Sequence, residues 1–264
     1  MSLLKKLFPL IVLLFATLVA GAQDFPYRLD WKREVGLLGG AGALSIGSHV
    51  IENQIDGLSV RELAARRRSQ VWFLDRGATY QSSEAHRNLS DDLLRASMAL
   101  PATLLIQREP RRRALVVATM LAETMLLNDG LTKATKVIVR RARPLTFNPD
   151  YDPYARSTND ARQSFVSGHT SNTAALSFFT AKLLHDMYPD SGWRPVFWAG
   201  AAVVPLVTGY ARYQAGKHFP TDIAAGYALG ATLGILLPQL HKRDVATGWQ
   251  LGVTDNGVGL CYRW

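Results

Sequence analysis

The sequence has little cysteine, no signature for a bound metal and no long apolar run. Its one cysteine, Cys261, excludes an intramolecular disulfide bond. HExxH and paired cysteines are missing, which argues against a metal site. Five apolar runs of 14 to 16 residues fall short of the ~20 that span a membrane comfortably. A chain of 264 residues can still form one sizeable core or one helical membrane bundle.

The charge is strongly positive. A net charge of +9 favours anionic partners, such as acidic lipid headgroups or phosphorylated substrates. Nucleic acid is a poor candidate, because the strongest basic run, Arg108 to Arg113, lies between two apolar segments without interleaved aromatic residues.

The N-terminus has the pattern of an export signal. Lys5 and Lys6 precede the apolar run Leu7 to Val19, and Ala20-Gly21-Ala22 matches a signal-peptidase site. Residues 1–22 are therefore predicted to be a signal peptide or an uncleaved first membrane span.

The rest of the chain predicts an all-α fold. A helical bundle of about five or six core helices is expected, ending in a short β-hairpin with a turn at Asn256-Gly257. Residues 23–90 form an N-terminal region with a short helix around Arg61 to Phe73, 91–240 the core bundle and 241–264 a tail. The predicted helical runs are Val35–Ile51, Leu93–Ile106, Ala114–Leu127, Ser171–Leu184, Val196–Ala211 and Ile223–Leu237.

Charge in the loops favours a bundle embedded in the membrane over a soluble periplasmic protein. If Val35–Ile51 does not cross, the turn from Arg108 to Arg113 falls in the cytoplasm, as the positive-inside rule expects. The polar clusters described next then face the periplasm. If Val35–Ile51 does cross, this assignment inverts.

The first polar cluster is basic. Lys136 and Arg143 are seven residues apart, so both can share one face of a helix, and Pro144 then ends that helix. A lysine point charge and an arginine fork suit phosphate oxygens. The alternative is a basic helix end at a membrane surface, which is how Arg140 and Arg141 are interpreted.

The second cluster, Ser167-Gly168-His169, precedes an apolar helix. Ser167 and the amide of Gly168 would hold oxyanions at the helix N-terminus, and His169 would protonate a leaving oxygen. The alternative is a serine cap followed by an ordinary polar histidine.

The third cluster runs from Arg212 to Asp222. His218 lies four positions before Asp222, so the carboxylate is expected to accept a hydrogen bond from one ring nitrogen while the other attacks phosphorus. Arg212 would neutralise charge that builds on the phosphoryl oxygens. A His–Asp pair that only caps a helix is the alternative.

The pattern K-x6-RP, SGH and R-x5-H-x3-D resembles the type 2 phosphatidic acid phosphatase superfamily, which includes bacterial acid phosphatases and vanadium haloperoxidases. The resemblance implies that His218 is the nucleophile and forms a phosphohistidine, that His169 is the acid and that Asp222 supports His218. It further implies a metal-free, cofactor-free reaction. The implied phosphate-binding residues are Lys136, Arg143, Ser167, Gly168 and Arg212.

Some residues depart from the pattern or lie outside it. Val166 and Ala211 stand where the family commonly has proline and serine. The remaining histidines are expected to be surface or packing residues, and Glu123, inside an apolar run, has no assigned role. Those histidines are His49, His86, His185 and His241.

The expected function is hydrolysis of a phosphomonoester or pyrophosphate on a lipid, such as phosphatidic acid, phosphatidylglycerophosphate, a polyprenyl pyrophosphate or lipid A. The expected place is the bacterial inner membrane, with the site facing the periplasm. A soluble periplasmic acid phosphatase of broad specificity is the first alternative. A vanadium haloperoxidase and a lipid-binding assembly factor without turnover are more remote.

Overall fold

Six long helices make up most of the structure. It is a computed structural model that describes residues 25–243, 248–254 and 257–263, so the predicted leader, residues 1–22, lies outside the described residues. The prediction of an all-α bundle is confirmed. The long helices in the described part of the chain are α1 (Trp31–Glu52), α2 (Glu84–Thr103), α3 (Ala114–Val139), α4 (Gly168–Met187), α5 (Arg194–Gln214) and α6 (Pro220–Leu240).

Short elements fill the connections, and two strands follow the bundle. β1 (Gly248–Thr254) pairs antiparallel with β2 (Gly257–Arg263). Residue 256 lies outside the described residues, so the predicted turn at Asn256-Gly257 stays a prediction. The short helices are Val60–Ala65, Phe73–Arg76, Arg108–Arg112 and Pro153–Ser157, and the 3₁₀ turns are Arg68–Gln70, Gly77–Tyr80, Leu104–Ile106, Pro144–Phe147 and Asn159–Arg162.

The predicted short helix around Arg61 to Phe73 is wrong in its extent. A capping box between Ser59 and Glu62 starts a helix at Val60, but Arg66 and Arg67 are extended and end it. The predicted boundaries 23–90, 91–240 and 241–264 stay predictions.

Helix α4 is the centre of the bundle and packs against α2, α3, α5 and α6. Its contact with α6 is especially close. A Cβ on Gly230 would lie 2.0 Å from the carbonyl oxygen of Ser171, and one on Gly226 would lie 2.5 Å from that of Ser167. Only glycine permits this approach. It brings the start of α6 against the start of α4, which carry two of the predicted clusters.

The helices extend beyond the apolar runs that predicted them. Helix α3 has 26 residues, because polar side chains in its second half are buried rather than solvated. Asn128, for example, bonds Asn172 and Ser171 on α4. The described segments long and apolar enough to cross a membrane are α1, α3 with its continuation to Phe147, and α6. Large apolar side chains such as Val35, Leu115 and Leu236 are exposed on their outer faces.

Helix α1 runs alongside α3 in the same direction. Its first turn contacts His241, and its last residue, Glu52, lies 3.9 Å from Lys136 at the end of α3. Because α1 lies alongside α3, the two helices would cross a membrane together. The expectation that Val35–Ile51 stays out of the membrane is therefore not supported. The periplasmic orientation does not follow from that premise.

The two chain ends of the bundle meet. Tyr27 forms a β-bridge with Lys242, Arg28 N–H donates to the carbonyl of His241 at 2.9 Å, and Arg243 N–H donates to that of Pro26 at 2.8 Å. This bridge lies beside the start of α1 and the end of α6.

Candidate active site

The three polar clusters converge on one pocket of about 350 Å³. It lies where α3 and α5 end and where α4 and α6 begin. Six of the eight predicted site residues line it, while Ser167 and Asp222 lie behind its wall. The lining residues are Arg87, Asp91, Lys136, Arg143, Asp160, Gly168, His169, Arg212, Lys217 and His218.

His218 is held with one nitrogen free of a proton. Its Nδ1 is 2.7 Å from the carbonyl oxygen of Ser164, which only accepts, so Nδ1 carries the proton. Its Nε2 lies 3.1 Å from a guanidinium nitrogen of Arg143, which only donates. Burial, Arg143 and Arg212 together lower the pKa of His218 well below its ordinary value. The ring is therefore neutral, and its unprotonated Nε2 accepts a hydrogen bond from Arg143 in the pocket lining.

The predicted hydrogen bond between His218 and Asp222 is wrong. The nearest carboxylate oxygen is 3.8 Å from Nδ1. The i, i+4 spacing would pair them on a helix, but α6 begins only at Pro220. Asp222 instead accepts from Phe219 N–H at 2.9 Å and from the hydroxyl of Ser164 at 2.5 Å. It thus holds the residue whose carbonyl orients the histidine.

His169 stands in the first turn of α4 and is paired with Asp91. Its Nε2 lies 2.8 Å from a carboxylate oxygen of Asp91, which must accept from it. Burial and Arg212 lower the pKa of His169, and Asp91 partly opposes this shift. Asp91 was missed by the sequence reasoning. It lies outside the three clusters and 78 residues before His169, so no local pattern pointed to it.

Two buried arginines face the pocket with their side chains fixed. Arg143 donates to the backbone carbonyls of Asp160 at 2.8 Å and Lys217 at 3.1 Å, and it pairs with the Asp160 carboxylate at 2.6 Å. Arg212 lies 3.3 Å from the hydroxyl of Ser90 and 3.6 Å from Asp91. Fixed guanidinium groups suit an anion, because little side-chain freedom is lost on binding.

Lys136 and Arg143 reach the pocket from different conformations. Helix α3 ends at Val139, so the predicted shared helix face is wrong, and Arg143 is extended before Pro144 as expected. Lys136 stays on the last turn of α3, and a Cβ on Gly168 would lie 3.9 Å from its ammonium nitrogen. Gly168 therefore leaves a narrow space between the lysine and the start of α4.

Ser167 caps α4 through its backbone position, and its side chain points away from the pocket. It is fully buried, with its hydroxyl 2.9 Å from that of Thr170. Its N–H donates to the carbonyl of Asp222 at 3.0 Å. Direct phosphate binding by the Ser167 hydroxyl gains no support from this arrangement.

Arg141 supports the site from behind, against the expectation that it lies at a membrane surface. It pairs with Asp222 and, at 2.7 Å, with Asp75, both fully buried. Asp75 also accepts from Thr221 N–H at 3.1 Å, in the first turn of α6. Its neighbour Arg140 is exposed, as expected. Nothing local in the sequence distinguishes the two arginines.

The pocket can hold a tetrahedral anion between two imidazoles. Five cationic side chains line it against two carboxylates, so it has a surplus of positive charge. His218 offers an unprotonated nitrogen, and His169 has a second nitrogen available for proton transfer.

Comparison with known proteins identifies relatives of this sequence. The sequence profile described as "PAP2 superfamily" matches residues 113–246, about half of the chain. The chain is 30% identical over 134 residues to the lipid A 4'-phosphatase of Porphyromonas gingivalis, covering 49% of this chain and 53% of that protein. It is 30% identical over 117 residues to phosphatidylglycerophosphatase B of Bacillus subtilis, covering 43% and 52%. The chain thus matches about half the length of these relatives.

A solved structure is similar at lower identity. It is the transmembrane PAP2 type phosphatidylglycerolphosphate phosphatase from Bacillus subtilis, at 21% identity and a TM-score of 0.41. The match covers 91% of this chain and 96% of that one.

Proposed function

This chain belongs to the PAP2 superfamily, and we propose that it is a membrane phosphatase that removes a phosphoryl group from a lipid phosphomonoester or diphosphate. The observation that carries the proposal is the pocket in which His218 and His169 stand beside five cationic side chains. The relatives named as lipid A and phosphatidylglycerophosphate phosphatases support the substrate class. The three long apolar helices support a substrate taken from a membrane.

In the first proposed step, Nε2 of His218 attacks phosphorus. A phosphorus–nitrogen bond forms, the bond from phosphorus to the leaving oxygen breaks, and His169 gives that oxygen its proton. Because Nε2 of His169 is bonded to Asp91, its Nδ1 is the atom proposed to carry the proton. Arg143, Arg212 and Lys136 stabilise the charge on the phosphoryl oxygens.

In the second step, water takes the place of the leaving alcohol. His169 accepts a proton from the water, the water oxygen attacks phosphorus, and the phosphorus–nitrogen bond to His218 breaks. Inorganic phosphate leaves, and His169 keeps the proton it needs for the next substrate. The lowered pKa of His218 supports this cycle, because a neutral ring can attack without first losing a proton.

The dependence on leaving group tests the two histidines separately. A lipid alkoxide needs a proton to leave, whereas p-nitrophenolate does not. His169→Ala should therefore lose far more activity toward a lipid phosphate than toward p-nitrophenyl phosphate, about 100-fold or more. His218→Ala should lose both activities, together with the acid-labile phosphoprotein that wild-type protein forms with a ³²P-labelled substrate.

A substrate panel tests the lipid part of the proposal. Purified protein in mixed micelles is given lipid A, phosphatidylglycerophosphate, undecaprenyl diphosphate and phosphatidic acid beside p-nitrophenyl phosphate. A preference for one lipid supports the proposal. Turnover of the water-soluble ester alone, together with release of the protein from membranes by alkaline carbonate, indicates the soluble acid phosphatase instead. Phosphate-dependent binding without turnover indicates the assembly factor.

We also propose that the pocket faces the periplasm, which puts the start of α1 on the cytoplasmic side and requires that residues 1–22 do not carry the chain across the membrane. The support is the short basic turn from Arg108 to Arg113, which lies between α2 and α3 at the end away from the pocket. In a Cys261→Ser background, cysteines placed at Arg111 and at Asp150, both exposed, distinguish the two sides. A membrane-impermeant maleimide applied to spheroplasts should label position 150 and not 111. The reverse result would place the pocket in the cytoplasm.

A further inference from the structure

A second cluster of buried polar groups lies at the end of the bundle away from the pocket. Glu34 comes from the first turn of α1, Glu123 from the first half of α3, and His241 directly follows α6. All three are buried, Glu123 at 1% exposure and His241 at 0%. From the sequence, Glu123 has no assigned role and His241 is expected to be a surface or packing residue. The structure brings the two side chains together.

The cluster consists of acceptors that face one another. His241 Nδ1 lies 2.8 Å from the carbonyl oxygen of Leu237, so Nδ1 carries the proton and Nε2 presents a lone pair. That lone pair faces a carboxylate oxygen of Glu123 at 3.0 Å and one of Glu34 at 3.3 Å. Acceptors in such contact repel one another unless a positive charge lies between them.

The neighbouring side chains supply only part of that charge. Arg33 donates to both oxygens of Glu34, at 3.0 and 3.1 Å. Within the described residues, no group donates a hydrogen bond to either carboxylate oxygen of Glu123. Nε2 of His241 has no hydrogen-bond partner there either. One shared proton would satisfy one contact between His241 and a glutamate. The other oxygen of Glu123 would stay buried without a partner.

We propose that Glu34, Glu123 and His241 bind a divalent transition-metal cation, with Zn²⁺ as the best fit. Ligands about 2.0–2.2 Å from zinc in a tetrahedron lie roughly 3.4 Å from one another. The observed separations of 3.0 and 3.3 Å are close to that edge length. The bond from Nδ1 to a backbone carbonyl is the usual support for a histidine that binds a metal through Nε2.

Water is proposed as the fourth ligand, because a cavity reaches Glu123. A cavity of about 210 Å³ borders Glu123 and is otherwise lined by small and apolar residues such as Gly36, Gly40 and Leu237. Glu123 lies 13 residues before Lys136 on α3, about 20 Å along the helix axis. The cation would therefore not touch a substrate in the pocket. Its role is structural, because it ties the starts of α1 and α3 to the end of α6.

The test uses the full chain, purified in detergent with an affinity tag that contains no histidine. Metal content is measured by plasma mass spectrometry, and Co²⁺ substitution reports tetrahedral geometry through intense visible absorption. Thermal unfolding is followed after chelation and after Zn²⁺ is returned. We expect about one Zn²⁺ per chain, and a Tm that falls by about 5 °C on chelation and recovers with Zn²⁺.

Two variants make the assignment specific. Glu123→Gln keeps the side-chain volume, and its amide can donate to Nε2 of His241, so the variant should fold. It should bind no metal, and its Tm should not change on chelation. The control is Glu109→Gln, at the same end of the bundle, where the partly exposed carboxylate of Glu109 contacts exposed Arg112 at 3.4 Å. It should behave as wild type.

Three results would overturn the proposal. The first is wild-type protein that contains no metal and whose Tm responds to neither chelator nor Zn²⁺. The second is Zn²⁺ retained in Glu123→Gln, which would place the metal elsewhere, including the two-histidine pocket. The third is a wild-type Tm that depends on pH to the same extent before chelation, after chelation and with added Zn²⁺, while the Tm of Glu123→Gln does not depend on pH. That result would assign the cluster to a shared proton.

Discussion

The two ends of the bundle bury polar groups of opposite kinds. At the pocket, five cationic side chains outnumber two carboxylates. At the other end, two carboxylates and an imidazole lone pair face one another with one arginine beside them. A surplus of buried donors favours an anion, and a surplus of buried acceptors favours a cation. The charge of the expected ligand at each end therefore depends on whether hydrogen-bond donors or acceptors are in excess.

The largest expected effect comes from removing the nucleophile at the pocket end. His218→Gln should lower kcat by at least about a thousandfold, because no other group in the pocket offers an unprotonated nitrogen at this position. The measurement is phosphate release from a lipid substrate. Glu123→Gln at the opposite end serves as the comparison and should retain turnover within about threefold. Equal losses in the two variants would contradict the separation of the ends.

The next effect concerns the acids behind the pocket. Arg141→Ala leaves Asp75 and Asp222 buried without their cation, which should lower the free energy of unfolding by about 3 kcal/mol. Arg140→Ala is the matched control, since its side chain is exposed, and should change stability by less than about 0.5 kcal/mol. Thermal unfolding in detergent measures both. Equal stability of the two variants would argue that Arg141 lies at a surface, as its sequence suggested.

A smaller effect is expected midway between the ends, where α4 and α6 touch. Gly230→Ala places a Cβ 2.0 Å from a backbone oxygen of Ser171, so the helices must separate, at a cost of about 2 kcal/mol. Gly200→Ala, on the open face of α5, has no atom within 4 Å of its new Cβ and should be neutral or stabilising. A neutral Gly230→Ala would show that the glycine contact does not hold the pocket together.

The smallest effect is a shift in pH dependence. Asp91 stabilises the protonated form of His169, so Asp91→Asn should lower the pKa of His169 further. An acid with a lower pKa loses its proton at lower pH, so the falling limb of kcat on the alkaline side should move toward acid. We expect about a tenfold loss at neutral pH with a lipid substrate and little loss with p-nitrophenyl phosphate. An unchanged pH profile would exclude Asp91 as the partner of the acid.

Many residues that line the pocket could be predicted, because they belong to short sequence motifs. Lys136, Gly168, His169 and Arg212 each lie within a motif and each line the pocket. The partners that hold them could not be predicted. Asp91 is 78 residues from His169 in sequence, and such distant contacts leave no local pattern.

The number of long helices was predicted more accurately than their lengths. Apolar runs marked their centres, but α3 continues beyond its predicted run, which ends at Leu127, through a stretch with several polar residues to Val139. Among them, Asn128 bonds across to α4 and Lys136 lines the pocket, so their polarity does not mean that they face water. For Glu123 and His241 the sequence allowed burial, but it did not predict their contact with each other at 3.0 Å. Burial of a polar group depends on its partner, and the partner is a tertiary feature.

The β-bridge between Tyr27 and Lys242 means that the chain enters and leaves the bundle at the same end. Fluorescent reporters fused before residue 25 and after residue 243 would therefore sit in the same compartment if nothing upstream crosses the bilayer. A retained span in residues 1–22 would instead put a reporter at the very N-terminus on the opposite side, and cleavage after residue 22 would separate that reporter from the bundle. Comparing the compartments of the two reporters therefore shows whether the leader is retained as a membrane span. It does so without sequencing the mature N-terminus.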